Sequence, residues 1–140
     1  MALQIQLLKG GTWFSDAKTK EALNAFPNAK AAVEFVDDSC NTLVAKNMVL
    51  TIGRQKENTI VLDDNDVSRY GCILQGEVSG WIRKSEKWFV KDTGARIKII
   101  VWRNKRPIDV PVDDGVSKGV SLQDGDELLI GTTVLKIILK

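Results

Sequence analysis

The sequence contains no histidine and only two cysteines among its 140 residues. Histidine is the commonest general base and metal ligand, so its absence removes Ser-His and Cys-His dyads, and we predict that the protein is not an enzyme. Cys40 and Cys72 lie far apart and form no CxxC pair, so we predict no metal site and no cofactor. Two unpaired thiols fit a reducing cytoplasm, where we expect the protein to reside. Cys72, beside Ile73 and Leu74, is predicted to be a small buried hydrophobe.

Long apolar runs and a strong charge imbalance are also missing. No apolar run reaches the roughly 18 residues of a membrane-spanning helix, and the first residues alternate instead of forming a secretory signal. The formal net charge of +2 is too small to predict binding to a membrane or to nucleic acid by itself. A hydrophobic fraction of 44% is enough for the core of one domain.

Short apolar stretches separated by polar turns fill residues 31–140. Their spacing of about ten residues is typical of an all-β sandwich or barrel. Residues 1–30 differ, because an alternating strand pattern over residues 3–7 is followed by a short helical pattern that begins near Ser15 and stops at Pro27. We therefore predict a small strand-helix extension that packs on a β domain, with a boundary near residue 30.

Cationic and hydroxyl side chains follow two neighbouring strands in the segment LTIGRQKENTIVLDDNDVSRYG. Gly53 and Arg54 end the first strand, and Ser68 and Arg69 follow the second. Taken singly, each pair is explained by a solvated or ion-paired arginine and by a serine turn. Taken together, a guanidinium fork and a hydroxyl form a set that can hold an anion through charge-assisted hydrogen bonds.

The order of five motifs resembles the forkhead-associated (FHA) domain, a phosphothreonine-binding β-sandwich. The matching segments are Gly53-Arg54, NTIVLD at residues 58–63, Val67-Ser68-Arg69, WFVKD at residues 88–92 and LQDGDELLIG at residues 122–131. The resemblance spans residues 31–140 and implies an all-β, FHA-like β-sandwich of about eleven short strands, preceded by the extension.

The resemblance also implies a set of phosphopeptide-binding residues. Arg54 matches the family's phosphate-binding arginine, and Ser68 matches the serine whose hydroxyl contacts the phosphate. Arg69 matches the arginine that follows this serine, a largely structural position. Thr93 and Arg96 lie in the loop after the WFVKD strand, which contacts the peptide in the family. We expect these residues to gather at one end of the sandwich.

Three departures from the family pattern bear on these loops, and one of them is Trp102, which stands where a second asparagine is common in the family. The family's histidine, which supports the binding loops, is Gly71 here. The family's Leu-Gly-Ser-Thr-Asn-Gly-Thr loop is TGARIKI, so the Asn-Gly that holds the peptide backbone has become Ile97-Lys98. Arg96 stands where the family has a phosphate-contacting threonine. Either Arg96 supplies a second cation to a less threonine-selective anion site, or it is a solvated charge at the edge of a decayed pocket.

The function predicted from these residues is a non-enzymatic phosphothreonine-peptide-binding interaction module, an adaptor in signalling or assembly. Its partner is a Thr-phosphorylated or other protein, and no membrane partner is expected. The alternative is a phosphate-independent interaction scaffold with a degenerate pocket. In that case Leu7, Leu23 and Phe26 of the extension, or the exposed strand edges, contact the partner. The sequence leaves the oligomeric state open.

Nucleic acid is an unlikely partner. Nine basic residues lie between residues 81 and 106, interleaved with Trp81, Trp88, Phe89 and Trp102. Cations and aromatic rings together can hold single-stranded nucleic acid, but strand alternation predicts that most of these rings are buried.

Clusters of carboxylates occur at residues 63–66, 113–114 and 124–126. None has the spacing of a calcium-binding EF-hand loop. We interpret all three as turns, because aspartate favours turns by bonding the backbone nearby.

Overall fold

The computed structural model describes residues 3–9, 12–13, 33–37, 42–45, 49–79 and 85–139. Within these ranges the regular structure is entirely β, which confirms the predicted fold class. The predicted helix and Cys40 lie outside the described residues. No helix in the described ranges is long and apolar enough to cross a membrane.

Thirteen strands occur in the described part of the chain, two more than the approximate number expected. They are β1 (Leu3–Lys9), β2 (Thr12–Trp13), β3 (Val33–Asp37), β4 (Thr42–Ala45), β5 (Val49–Gly53), β6 (Ile60–Asp63), β7 (Cys72–Ser79), β8 (Ser85–Asp92), β9 (Ile100–Arg103), β10 (Arg106–Asp109), β11 (Val120–Ser121), β12 (Glu127–Ile130) and β13 (Thr133–Leu139).

The strands form two sheets. One has the order β10-β9-β12-β13-β1-β4-β3, and the other has the order β11-β8-β7-β5-β6-β2. The pairing of β5 with β6 is parallel, whereas the other paired strands named above are antiparallel. Strand β1 lies between β13 and β4, so the strand predicted for the extension is an interior strand of the first sheet. The domain boundary near residue 30 stays a prediction.

The core lies between the two sheets and follows the two-residue period of the strands. In β13 the buried positions are Thr133, Leu135 and Ile137, and the residues between them are only partly buried. Trp88 is 1% exposed and packs over Gly76, where an added Cβ would lie 2.9 Å from the indole ring. Burial of each large apolar side chain stabilises the fold by about 1.5–3 kcal/mol. Cys72 is a free thiol buried in this core, as predicted.

Strand β10 is an outer edge of the first sheet, and its hydrogen-bond pattern protects that edge. The amide of Val110 donates to the carbonyl of Ile99 at 3.4 Å, and alternate residues of β10 bond β9 in the same way. Pro107 pairs with Trp102 at an intervening position, so its missing N–H falls on the free side. Proline at this position discourages a partner strand from adding to β10.

The turn between β9 and β10 lies at the end of the sandwich opposite the loops that precede β9. Beside this turn, the guanidinium of Arg103 donates to both carboxylate oxygens of Asp126, at 2.8 and 2.7 Å, and to the carbonyl of Ser121 at 2.8 Å. The hydrogen bond to Asp126 is the main cause of a raised pKa for Arg103. Asp126 also accepts the amide of Gln123 at 2.8 Å, so this carboxylate organises a turn, as predicted.

Candidate functional site

Three loops meet at one end of the sandwich: the 54–59 loop after β5, the 64–71 loop before β7 and the 93–99 loop after β8. The first two are joined through their backbones. The amide of Arg54 donates to the carbonyl of Ser68 at 3.0 Å, and the amide of Gln55 donates to the carbonyl of Arg69 at 3.1 Å. These bonds extend the pairing of β5 with β7 into the loops.

Asn58 and Gly53 keep the 54–59 and 64–71 loops in close contact. Asn58 is buried, and its Nδ2 donates to the carbonyls of Gln55 at 2.9 Å and Arg69 at 2.6 Å. A Cβ on Gly53 would overlap the Arg69 carbonyl oxygen and lie 2.7 Å from Asn58 Nδ2. The glycine of the Gly-Arg pair is therefore required by this close approach. Sequence reasoning noted Asn58 only as a motif letter and missed its role in joining the loops.

Ser68 connects the 64–71 loop to the 93–99 loop. Its side chain is half-buried, and its Oγ accepts the backbone amide of Arg96 at 2.9 Å. A serine hydroxyl has one hydrogen to donate in addition to its two lone pairs. The amide of Arg96 therefore occupies one acceptor position and leaves that hydrogen available for an anion.

Arg54, Arg69 and Arg96 lie in the loops that meet at Ser68, and their side chains are all exposed. Within the described ranges, none of the three guanidinium groups forms a hydrogen bond or an ion pair. The same loops carry the acidic residues Glu57 and Asp66, but neither carboxylate pairs with these arginines. Three arginines without ion pairs in the described ranges and a hydroxyl thus lie in loops that meet at one end of the sandwich. Groups of these kinds can bind an anion such as phosphate.

Asp92 shapes the 93–99 loop from inside the protein. Its carboxylate is buried, and Oδ1 accepts the amides of Gly94 and Ala95, both at 2.8 Å. The other oxygen, Oδ2, accepts the amide of Ile99 at 3.3 Å. The chain turns at Gly94 with φ +96°, a conformation that favours glycine. These bonds fix the backbone that presents the Arg96 amide to Ser68.

Thr93 faces the 64–71 loop. Its hydroxyl lies 2.7 Å from the carbonyl oxygen of Tyr70 and 3.0 Å from that of Gly71, and it donates to both. Its amide also donates to the Gly71 carbonyl, at 3.1 Å. The hydroxyl hydrogen of Thr93 is thereby committed within the protein, and its predicted contact with a peptide stays a prediction.

Asp64 joins the 64–71 loop to the turn before β13. Its carboxylate accepts the amide and hydroxyl of Thr132 at 3.1 and 2.7 Å, the hydroxyl of Thr133 at 2.8 Å and the amide of Asp66 at 2.9 Å. Burial acts to raise the pKa of Asp64, but these hydrogen bonds outweigh it and lower the pKa below its ordinary value. The carboxylates at residues 64–66 are thus part of a turn, as predicted.

The aromatic residues near the basic segment do not form one exposed surface. Trp88 is buried in the core and Phe89 is half-buried, with Lys118 Nζ 5.7 Å from its ring centroid. Trp102 is 36% exposed, whereas Trp81 lies outside the described residues. Trp88 therefore cannot stack on a nucleic-acid base.

Structures of FHA domains share this architecture. One, from a study of phosphothreonine-dependent FHA domain interactions, is 16% identical, with 100% of this chain and 98% of that chain covered at a TM-score of 0.56. The FHA domain of CT664 from Chlamydia trachomatis is 14% identical, with coverages of 100% and 99% and a TM-score of 0.58. The MEK1 FHA domain in complex with a phosphothreonine peptide of HOP1 is 19% identical, with coverages of 70% and 88% and a TM-score of 0.54.

Sequence comparison gives a family assignment. No curated protein matches the chain significantly. The family model described as "FHA domain" matches residues 50–131, which is more than half of the chain and includes all three loops. The chain belongs to the FHA domain family.

Proposed function

We propose that this FHA domain is a non-enzymatic cytoplasmic adaptor that binds phosphothreonine peptides, with Arg54 as the main phosphate contact and Ser68 as its partner. The observation that carries the proposal is the hydrogen bond from the Arg96 amide to Ser68 Oγ at 2.9 Å. This bond orients a half-buried hydroxyl at the meeting point of the loops that present the unpaired arginines.

Phosphate chemistry fits these groups. A phosphorylated threonine carries a charge near −2 at neutral pH and three acceptor oxygens. The guanidinium of Arg54 offers several N–H donors in a plane, and the Ser68 hydroxyl offers one more. Charge-assisted hydrogen bonds of this kind are roughly twice as strong as neutral ones.

The same geometry supports a role for Arg96 as a second cation. The hydrogen bond from its backbone amide to Ser68 Oγ holds its backbone beside Ser68, and its side chain is exposed without an ion pair in the described ranges. A phosphate bound by Ser68 would then experience the field of two arginines. We propose that Arg96 partly replaces the threonine hydroxyl that the family has at this position, and that Arg69 adds to the positive field from the neighbouring position.

Complexes of similar proteins agree with this proposal. The solved structures that resemble this fold include the Dun1 FHA domain with a doubly phosphorylated peptide, at 18% identity, and the MEK1 domain with its HOP1 peptide. Another is the FhaA FHA domain in complex with the intracellular domain of Rv3910, at 17% identity. We infer a protein partner for this chain as well.

Binding to a phosphothreonine peptide library, with matched unphosphorylated peptides, tests the proposal. Arg54→Ala should lower the affinity for the phosphopeptide that wild type binds most tightly about 10- to 100-fold, the effect of losing a charged hydrogen-bonding group. Arg106→Ala is the matched control, because Arg106 is exposed beside the β9–β10 turn at the other end of the sandwich. It removes the same charge and should leave affinity nearly unchanged.

The outcome that contradicts the proposal is binding that depends neither on phosphate nor on Arg54. That result would favour the phosphate-independent scaffold. Equal losses in Arg54→Ala and Arg106→Ala would instead show that only the overall charge of the domain attracts the peptide.

A further inference from the structure

We propose that Thr93 is a positioning residue. Position 71 is a glycine and has no side chain that could support the 64–71 loop, so the Thr93 hydroxyl supports this loop instead and holds Ser68 in position for the phosphate. The inference rests on the proposed function, because it concerns how the same site is built. It assigns Thr93 a task other than direct contact with the peptide.

The surroundings of Gly71 leave no space for a brace from that position. Its amide donates to the carbonyl of Ile52 at 2.8 Å, which fixes it against β5. A Cβ on Gly71 would lie 2.8 Å from this carbonyl oxygen and 3.5 Å from Cγ2 of Ile130. Contacts under 3.0 Å with a backbone oxygen require the backbone itself to shift. The support for the loop must therefore come from a different residue.

Thr93 is well placed to give that support, because its own backbone is held firmly. The preceding residue, Asp92, donates its amide to the carbonyl of Pro111 at 2.9 Å and accepts the amide of Asp113 at its own carbonyl at 2.7 Å. From this anchored position the Thr93 hydroxyl reaches the carbonyl of Tyr70 at 2.7 Å. Among the described residues, no other donor to that carbonyl is present.

Two hydrogen bonds therefore connect the 64–71 loop, which carries Ser68, to the 93–99 loop. Ser68 Oγ accepts the Arg96 amide, and two residues later the Tyr70 carbonyl accepts the Thr93 hydroxyl. If the hydroxyl is removed, the Tyr70 carbonyl loses its donor, and the Gly71 carbonyl keeps only the amide of Thr93. The 64–71 loop then gains freedom at the residue next to Arg69, and Ser68 is less well positioned.

The test compares Thr93→Val with Thr93→Ser. Valine has the shape of threonine without the hydroxyl, whereas serine keeps the hydroxyl. Two quantities are measured: affinity for the phosphothreonine peptide that wild type binds best, and hydrogen exchange of the Arg96 amide, which reports the bond to Ser68. Thr93→Val should lower the affinity for this peptide about 3- to 10-fold, the effect of losing one hydrogen bond, and should make hydrogen exchange of the Arg96 amide faster. Thr93→Ser should stay within about twofold of wild type, inside the scatter of single-contact measurements.

Each outcome decides the inference. If hydrogen exchange of the Arg96 amide is unchanged in Thr93→Val, the Thr93 hydroxyl does not support the 64–71 loop. If exchange is faster but the peptide affinity is unchanged, this support plays no part in binding. If Thr93→Ser loses as much as Thr93→Val, the methyl group is responsible and the hydroxyl is not. If wild type binds no phosphopeptide, the proposed function fails, and the role of Thr93 in holding Ser68 for phosphate fails with it. Thermal unfolding of both variants verifies folding, and Thr93→Ala replaces Thr93→Val if valine prevents it.

Discussion

Replacing Gly53 with alanine adds one methyl group at a place where the structure leaves no room for it. The new Cβ would overlap the carbonyl oxygen of Arg69 and lie 2.7 Å from Nδ2 of Asn58. Because the first of these atoms belongs to the backbone, the 64–71 loop has to move away from β5. The movement breaks the bond from Asn58 Nδ2 to Arg69, which is 2.6 Å long.

The expected loss of stability follows from two effects. Overpacking a close contact costs about 1–3 kcal/mol. A buried amide donor left without a partner costs about 1–3 kcal/mol more, and the two effects overlap because the same shift causes both. We expect Gly53→Ala to lower the free energy of unfolding by about 2–4 kcal/mol. Urea denaturation with the m-value held constant measures this change.

Gly125→Ala provides the matched control for this measurement. Gly125 has φ +86° and nothing within 4 Å of an added Cβ, so alanine there meets only backbone strain of about 1 kcal/mol. Gly53 has no such positive φ, so its cost is steric. A loss for Gly53→Ala no larger than the loss for Gly125→Ala would refute the close approach of the two loops.

Two further predictions concern buried carboxylates. Asp64→Asn should destabilise the protein at neutral pH by about 1–3 kcal/mol, because the ionised group accepts several bonds. The pKa of Asp64 is lowered in the folded state, so the stabilisation by its carboxylate is present above the ordinary pKa of 3.8 and is lost as the pH falls through the folded pKa. Urea denaturation from pH 7 to pH 2 should therefore show the free energies of unfolding of wild type and variant converging. A difference that stays constant with pH would contradict this. Arg103→Ala should lower the free energy of unfolding, measured by urea denaturation, by about 3 kcal/mol, because the buried carboxylate of Asp126, 1% exposed, loses both hydrogen bonds to the guanidinium. Lys105→Ala is the control. A loss of stability equal to that of Lys105→Ala within error would disprove the importance of the Arg103–Asp126 pair.

The fold class and the family could be predicted from the sequence because their signals are local. Strand alternation and turn residues are encoded within a few neighbouring positions, and they predicted an all-β sandwich or barrel. The motif order around Arg54 and Ser68 predicted the FHA family, which the family match confirms. The burial of Cys72 followed from its apolar neighbours in the same way.

The details of the site depend on contacts that no local pattern encodes. The bond from the Arg96 amide to Ser68 Oγ joins residues that are 28 positions apart and uses a backbone donor, which every residue but proline has. The same is true of the Thr93 hydroxyl, whose partners are backbone carbonyls in another loop. The pairing of β7 with β5 and with β8 in one sheet brings these loops together. Only the tertiary structure could therefore show that Ser68 accepts the Arg96 amide and that the Thr93 hydroxyl donates to the 64–71 loop.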